Sequence, residues 1–331
     1  RIGVKPLYYT RASGTFLFAS EIKCLLAHPG LPRLVDEESL YHFLTFLTTP
    51  APATLFKGIH KLPPGYRAIV KPTGDMRLDE YWDVFDSVQI DSDASQADLT
   101  ERLRTSLRDS IGLRMASDVP FGVMLSGGID SSTNVALMAE QMERPVQTFS
   151  IGYKGVAAQQ YNELSFARLV AKHFSTDHHE TLIGSDDLVS FLPKLVYHQD
   201  EPIADPVCVP VYFVAKLAKD SGTSVVQVGE GADELFGGYS HWISVLRLHQ
   251  TIWKYYTALP DVFRQSALAM AAPLIDTMRF EYLRRGSAHE ELFWGGAIGF
   301  GEASKRNLLS DSYLQRVSNL TSHDVVLAHR K

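Results

Sequence analysis

The chain has 331 residues, of which 45% are hydrophobic and 21% charged, and its formal net charge is −6. This size and composition are typical of a globular protein with room for two domains and a large buried core. The acidic balance argues against a nucleic-acid partner, since a broad nucleic-acid surface is basic. No apolar run approaches the ~20 residues that cross a bilayer, so no membrane partner is expected. The two cysteines, Cys24 and Cys208, imply no disulfide framework and suit a reducing cytoplasm.

The first predicted elements are short. Residues 8–9 and 16–19 predict two strands joined by a turn at residues 13–14, and residues 21–27 predict a short helix. A hairpin of this size is marginal alone, and the chain begins with Arg1 rather than Met. We therefore expect the sequence to be an interior piece of a longer protein.

The next segment alternates helix and turn signals. Asp36 is placed to cap a helix that runs to about Leu47. Residues 61–66 predict a turn before an extended segment at residues 67–70. Residues 91–97 are polar and lack bulky apolar side chains, which predicts a domain boundary.

From residue 95 the pattern becomes regular. Ser95 and Asp98 form a capping pair for a helix whose apolar residues recur at helical spacing. These apolar residues are Leu99, Leu103, Leu107 and Ile111. Four β-rich runs follow, at residues 119–125, 146–151, 179–183 and 224–228. Helical stretches separate the runs, two of them with apolar stripes at Phe166, Leu169, Val170 and Phe174 and at Val211, Val214, Ala215 and Ala218. Strands that alternate with helices predict a parallel sheet covered on both faces. After Tyr239 the pattern is helical and aromatic-rich.

A glycine-rich loop follows the first of these strands. Residues 126–132 read SGGIDSS and lead into a helix-prone segment. The glycines let the backbone approach an anion, and the next helix presents free N–H groups and a positive dipole end. The loop has no lysine, so it is not the G-x-x-x-x-G-K-[ST] loop. Because Asp130 would lie beside phosphates, it implies a bridging magnesium ion. We predict a site that holds pyrophosphate as a leaving group.

A second acidic, glycine-flanked run follows the fourth strand. Residues 229–239 read GEGADELFGGY and should emerge at the same edge of the sheet as the first loop. Asp130 and Asp233 could together hold magnesium against phosphate oxygens. Glu230 is then left to orient an acceptor or act as a base. Alone, Gly-Glu-Gly would be a tight turn with solvated carboxylates, but the first loop favours a functional role.

Together the two loops resemble the synthetase domain of glutamine-dependent asparagine synthetases, in the ATP-pyrophosphatase (PP-loop) group. Residues 114–123, RMASDVPFGV, resemble the lead-in to the first loop of that family. Residues 198–206, HQDEPIADP, resemble its helix before the last strand. Residues 1–9 and 18–26 resemble the last strands and the helix of its glutaminase domain. The resemblance covers nearly the whole chain.

The resemblance implies an α/β fold with a parallel-sheet PP-loop ATP-pyrophosphatase domain. The C-terminal remnant of an αββα N-terminal-nucleophile glutaminase domain would precede it. Residues 1–35 would be the incomplete end of the glutaminase domain, residues 36–94 a linking segment, and residues 95–331 the synthetase domain, incomplete at its C-terminus. The parent protein is expected to be cytoplasmic, and a homodimer is the candidate oligomeric state.

The chemistry implied by the resemblance is ATP-dependent amidation. ATP activates the side-chain carboxylate of aspartate as β-aspartyl-AMP and releases pyrophosphate, and ammonia from glutamine then displaces AMP. Relatives that amidate sugars or peptides or close a β-lactam use the same ATP site on another carboxylate, so the motifs leave the acceptor open. ATP and Mg²⁺ are the implied cofactors.

Matching motif positions gives each residue an implied role. The pyrophosphate would be held by Ser126, Gly127, Gly128, Asp130 and Ser131. The adenine and ribose would be lined by Met124, Ile151, Val228 and Gly229. Asp130 and Asp233 would hold magnesium, and Glu230 would be the catalytic residue that helps to form the adenylate.

The chain departs from the family pattern in three places. The family's glutaminase uses an N-terminal cysteine, and neither Cys24 nor Cys208 is in that position, so this chain is expected to lack glutaminase activity. The family's downstream R-x-P-F-L-D segment and a basic residue near the phosphates do not appear before Lys331. Val228 stands where many members have serine and could contribute only backbone groups.

Three other clusters invite a functional interpretation. Residues 177–180, DHHE, suggest a metal cluster, but adjacent histidines on a strand face opposite ways, which favours a structural role. Asn162 and Glu163 precede a helix and are expected to cap it, with a minor ligand role as the alternative. The Arg284-Arg285 pair is expected to be a solvated face.

Overall fold

A computed structural model describes residues 1–155, 162–272 and 274–329 of the chain. The chain divides into two compact units. The first unit comprises Arg1–Val88, Gln199–Ala204 and Tyr239–Lys331, and the second comprises Gln89–His198 and Asp205–Gly238.

The N-terminal part of the first unit contains two small antiparallel sheets. Its elements are β1 (Tyr8–Ala12), β2 (Thr15–Ala19), α1 (Ile22–Leu25), α2 (Glu37–Phe46), β3 (His60–Lys61), β4 (Tyr66–Val70), β5 (Met76–Glu80) and a 3₁₀ turn (Val84–Ser87). The strand order of one sheet is β2-β1-β3, and β4 pairs with β5 in the other. The predicted hairpin, short helix and extended segment are confirmed. Asp36 caps α2 by accepting a hydrogen bond from the Ser39 amide at 2.8 Å, as predicted.

The second unit is built on a four-stranded sheet. Its strands are β6 (Phe121–Met124), β7 (Gln147–Tyr153), β8 (Asp177–Ile183) and β9 (Val225–Gln227). Its helices are α3 (Gln96–Met115), α4 (Ile129–Ala139), α5 (Leu164–His173), α6 (Ser185–Gln199), α7 (Cys208–Asp220) and α8 (Ala232–Phe236). The strand order is β8-β7-β6-β9 and every pairing is parallel, which confirms the predicted α/β fold. Because β6 and β9 are neighbours, the segments that leave their carboxyl ends start side by side.

Local sequence explains these elements. The Asp98 amide donates to the Ser95 hydroxyl at 3.2 Å, and the Ser95 amide donates to the Asp98 carboxylate at 3.3 Å. The predicted capping box therefore starts α3. The core between sheet and helices is apolar and fully buried at Val123, Val135 and Met138. This burial holds β6 and α4, and therefore the loop between them, against a rigid base.

The apolar stripe predicted on α5 does not all face the core. Phe166 and Leu169 are 61% and 66% exposed, whereas Ala167 and Ala171 are buried. The small alanines allow close approach of the neighbouring backbone, so this side of α5 faces inward. Phe166 and Leu169 are left outside, whereas Val170 and Phe174 pack against the core. On α3, Ile111 is the one buried residue of the predicted apolar stripe. The stripe begins with Leu99 and Leu103, and both of these side chains are exposed.

The C-terminal part of the first unit contains helices and, among its described residues, no strand, as predicted. Its elements are α9 (Ser240–Leu248), a π-helical turn (His249–Trp253), α10 (Lys254–Thr257), α11 (Asp261–Ala271), α12 (Thr277–Ser287), α13 (Glu302–Leu308), α14 (Asp311–Arg316) and α15 (Ser322–Ala328). Within the described parts of the chain, no helix combines the length and apolar character needed to span a membrane.

The expectation that Arg284 and Arg285 form a solvated face is wrong. Arg285 is 2% exposed, donates to Glu281 at 3.1 Å and lies 3.9 Å from the Trp294 ring. Arg284 bridges Glu281 and Glu290. Glu281, one helical turn before the arginines, and Glu290, after the helix, supply the negative charges that make burial of both guanidinium groups possible.

Candidate functional site

The first loop connects β6 to α4 and has the predicted strand–loop–helix form. Gly128 precedes the first helical residue, Ile129. Gly127 has φ of +91°, and a Cβ there would lie 2.6 Å from both the Ala167 nitrogen and the Phe166 Cβ. Only glycine fits this position, because the loop backbone lies directly against α5.

The serines of the first loop bind to the loop itself. The Oγ atoms of Ser126 and Ser131 are 2.9 Å apart, and the Gly128 amide donates to Ser126 Oγ at 3.2 Å. Among the described residues, no hydrogen bond joins either hydroxyl to a histidine, a lysine or a carboxylate. A serine nucleophile would need such a base. The hydroxyls therefore serve as hydrogen-bonding groups.

The second loop lies against the first. A Cβ on Gly229 would lie 2.9 Å from the Asp130 carbonyl carbon and 3.0 Å from the Ser131 nitrogen. Gly231, with φ of +93°, then starts the short helix α8, and Gly237 ends it in the left-handed conformation. The two loops thus emerge at the same edge of the sheet, as predicted, and their backbones are in contact.

Two cavities adjoin these loops. The larger, about 490 Å³, is lined by Ser126, Gly128, Ile129, Asp130, Ser131, Gly229, Ala232, Asp233, Phe236 and Gly238. The smaller, about 280 Å³, is lined by Met124, Leu125, Ser126, Ser131, Phe149, Ser150, Ile151, Tyr153, Glu163, Leu164, Val207, Pro210, Val211, Val214, Val228, Gly229 and Glu230. Ser126, Ser131 and Gly229 line both, so the cavities meet at the contact between the loops. Gly127 is the one predicted site residue that lines neither, because it faces α5.

The larger cavity is acidic. Asp130 and Asp233 line it, and no lysine or arginine is among the described residues of its lining. The pKa of the neighbouring Glu230 is raised, first by burial and then by the charge of Glu234, Asp130 and the other nearby carboxylates. An anionic ligand at this place would therefore need an accompanying cation.

The donor set fits magnesium delivered with a phosphate ligand. Carboxylate oxygens are hard ligands that Mg²⁺ prefers, and Mg²⁺ commonly takes one or two of them and completes its shell with phosphate oxygens and water. In the part of the chain that the structure describes, no three His, Cys, Asp or Glu side chains are grouped to hold a metal by themselves. Asp130 and Asp233 would hold the ion only together with ligand oxygens.

Comparison with known proteins assigns the family. A protein-family model for asparagine synthase matches residues 102–324, and one for a glutamine amidotransferase domain matches residues 1–82. The chain belongs to the asparagine synthase family. Asparagine synthetase [glutamine-hydrolyzing] 1 of Bacillus subtilis is 36% identical over 310 residues, which are 93% of this chain and 47% of that protein. Amidase chyE of Penicillium rubens is 30% identical over 292 residues, 82% of this chain and 42% of that protein. The chain thus spans less than half the length of these relatives.

Comparison with solved structures matches the chain to the NH3-dependent NAD synthetase of Campylobacter jejuni in complex with the nitrate ion. The match covers 72% of this chain and 98% of that chain, with a TM-score of 0.28 and 13% sequence identity.

Motif matching to the asparagine synthase family missed part of the smaller cavity. Val207, Pro210 and Val211, from the start of α7, form one wall, and Tyr153 and Ser150 contribute from β7. No motif marks these positions, because their place depends on how α7 crosses the sheet. The sequence feature that pointed to this wall was the predicted apolar stripe that includes Val211 and Val214.

The residues before α5 divide their roles. Of the two residues predicted to cap α5, Asn162 makes the side-chain hydrogen bond: its Oδ1 accepts from the Leu164 amide at 3.3 Å. The Glu163 side chain makes no cap hydrogen bond and lines the smaller cavity. Burial, followed by the charge of Glu163, raises the pKa of Tyr153.

The adjacent histidines of β8 are structural, as predicted. His178 Nδ1 is 2.9 Å from the Thr148 hydroxyl, and His179 stacks on Phe149 with ring centroids 5.4 Å apart. The two rings thus contact different side chains of β7. Burial lowers the pKa of His178, which favours its neutral form.

Proposed function

We propose that the full-length protein amidates the side-chain carboxylate of aspartate, using ATP and ammonia derived from glutamine, and releases AMP and pyrophosphate. The observation that carries the proposal is the contact of Gly229 with Asp130. This contact joins an acidic cavity at a helix N-terminus to a smaller, largely apolar cavity. The match of residues 1–82 to a glutamine amidotransferase domain supports glutamine as the source of ammonia.

The two cavities suit the two halves of ATP. Met124, Ile151 and Val228 offer an apolar wall to the adenine and ribose. The start of α4 offers the N–H groups of its first turn to the pyrophosphate. Magnesium bound by Asp130 and Asp233 would neutralise charge on the leaving pyrophosphate.

The proposed reaction has two steps. An oxygen of the aspartate side-chain carboxylate attacks the α-phosphorus of ATP, and the bond to pyrophosphate breaks, which leaves β-aspartyl-AMP. Ammonia then attacks the acyl carbon and loses a proton, and AMP departs with the carboxylate oxygen. Fixed donors at the developing negative charge stabilise such a leaving group.

Glu230 is the proposed catalytic residue. It lines the smaller cavity and follows Gly229 directly, at the point where the two cavities meet. Its raised pKa makes it a better proton acceptor near neutral pH than an ordinary glutamate. It therefore orients the acceptor or takes the proton that the attacking ammonia loses.

A second candidate is the same ligation on another carboxylate, such as that of a sugar, a peptide or a β-lactam precursor. The observation that favours it is the relative named as an amidase, which aligns with 82% of this chain. The residues that line the ATP cavities do not depend on the acceptor.

The test is pyrophosphate release by the full-length protein with ATP, Mg²⁺ and ammonium, with aspartate and then with a panel of other carboxylates. Release that requires aspartate and is lost in D130N and E230Q supports the proposal. G184A is the matched control, since a Cβ on Gly184 meets nothing closer than 3.5 Å. Release that ignores aspartate but requires another carboxylate establishes the second candidate.

A further inference from the structure

The first peptide bond of the glycine-rich loop joins Leu125 to Ser126. On one side, the buried Ser150 hydroxyl of β7 donates to the Leu125 carbonyl oxygen. On the other side, the Ser126 amide donates to Ser131 Oγ of α4 at 3.3 Å. Two serine hydroxyls from two different elements therefore hold one peptide plane from both ends.

This is also the point where the chain leaves the sheet. The Leu125 amide still donates to the Phe149 carbonyl at 2.8 Å, which continues the β6–β7 ladder one residue past β6. The next hydrogen bond, at the Leu125 carbonyl, comes from the Ser150 side chain. The Ser150 side chain thus holds the backbone where the loop begins.

Both partners are removed from solvent. Ser150 and Leu125 are each 2% exposed. A buried carbonyl that loses its donor incurs a desolvation cost, which the chain can relieve by turning the peptide plane. A turn of this peptide would move Ser126, which is one of the residues that line both cavities.

We propose that Ser150 is a positioning residue for nucleotide binding, which acts through the Leu125–Ser126 peptide and fixes the orientation of the glycine-rich loop. The inference rests on the proposed function in one respect, namely that the loop holds the phosphates of ATP. Ser150 acts on the loop and not on the carboxylate substrate. Its loss should therefore change ATP binding and leave the affinity for the carboxylate unchanged.

The experiment compares S150A with T148V in the full-length protein. Thr148 lies two residues earlier on β7, is fully buried, and bonds to Thr176 and His178 at 2.9 Å each. T148V therefore removes a buried hydroxyl from the same strand without touching the loop. S150T keeps the hydroxyl and serves as the rescue variant, and the melting temperature of each variant is measured alongside.

We expect S150A to raise the Kd for Mg²⁺–ATP about tenfold, the loss of a buried hydrogen bond. The KM for the carboxylate should stay within about twofold, and T148V and S150T should bind ATP within about threefold of the wild type. Unchanged ATP binding in S150A would overturn the inference. Equal weakening in S150A and T148V would also overturn it, because it would show a general effect on the sheet.

The same titrations separate this inference from the proposed function. If the wild type binds no ATP, both fail together. If the wild type binds ATP and S150A binds it more weakly, while pyrophosphate release ignores aspartate, the positioning role stands and the proposed substrate is wrong.

Discussion

Replacing Gly229 with alanine tests the contact between the two loops. The new Cβ would lie 2.9 Å from the Asp130 carbonyl carbon and 3.1 Å from the Asp130 Cβ. Carbon atoms at optimal separation are about 3.5–4.0 Å apart, so the second loop must retreat by roughly 0.5–1 Å. The nearest atoms belong to the Asp130–Ser131 backbone at the start of α4, which cannot rotate away as a side-chain end would.

The structure sets the size of the effect. Inserting a methyl group into a packed contact costs about 1–3 kcal/mol. If ATP binding must restore the original spacing of Asp130 and Asp233, the same energy appears as a loss of ATP affinity of about 5- to 150-fold. If the second loop instead stays displaced in G229A, the protein should lose less folding stability but a similar amount of ATP affinity.

The assay is calorimetric titration of the full-length protein with Mg²⁺–ATP, with thermal unfolding measured on the same samples. G184A is the control, because its Cβ makes ordinary contacts at 3.5 Å and beyond. It should bind ATP as the wild type does. If G229A also binds ATP with wild-type affinity, the two loops do not form one nucleotide site and the reasoning fails.

Three further predictions concern stability and pH. Lys305, fully buried, pairs with Glu302 at 2.8 Å, so K305M should lower the free energy of unfolding by about 3–5 kcal/mol in urea denaturation. E302L/K305M should recover only part of this loss, because Glu302 also accepts hydrogen bonds from the buried Tyr41 hydroxyl and Ser322 amide. Glu230 binds its proton more tightly in the folded protein, so its contribution to stability falls as pH rises above 4.5. E230Q should therefore be more stable than the wild type at pH 7 and equal to it at pH 3. A stability difference that is larger at pH 3 than at pH 7 would contradict this direction. S95A should destabilise the protein by about 1 kcal/mol through loss of the α3 cap, whereas S95D should not.

The elements around the loops could be predicted because each carries a local signal. Short β-rich runs bounded by glycine and polar residues predicted all four strands of the parallel sheet, and Ser95 and Asp98 marked the start of α3. The glycines of the first loop were predicted to let the backbone approach an anion, which stays a prediction. The structure shows a different close approach, of Gly127 to α5 and of Gly229 to the Asp130–Ser131 backbone. The four strands and the cap of α3 depend on neighbours in sequence, so the sequence alone was enough to predict them.

The remaining features depend on contacts between distant segments. The wall formed by Val207 and Val211 follows from the path of α7. Burial of Arg285 needed the counter-charge of Glu281 together with the ring of Trp294. The exposed position of Phe166 follows from the glycine-rich loop lying against the inner side of α5. The positions of the α7 wall and of Phe166 have no sequence spacing that marks them in advance. Glu281 precedes Arg285 at helical spacing, but that spacing alone does not show that the Trp294 ring covers the pair.

The central claim is that the paired loops form a Mg²⁺–ATP site at which a carboxylate is adenylated. The most direct measurement uses aspartate with ¹⁸O in its side-chain carboxylate, turned over by the full-length protein with ATP and ammonium. Attack of this carboxylate on the α-phosphorus predicts that the label appears in AMP. Label found instead in inorganic phosphate, with ADP as the nucleotide product, would show attack on the γ-phosphorus and would contradict the account.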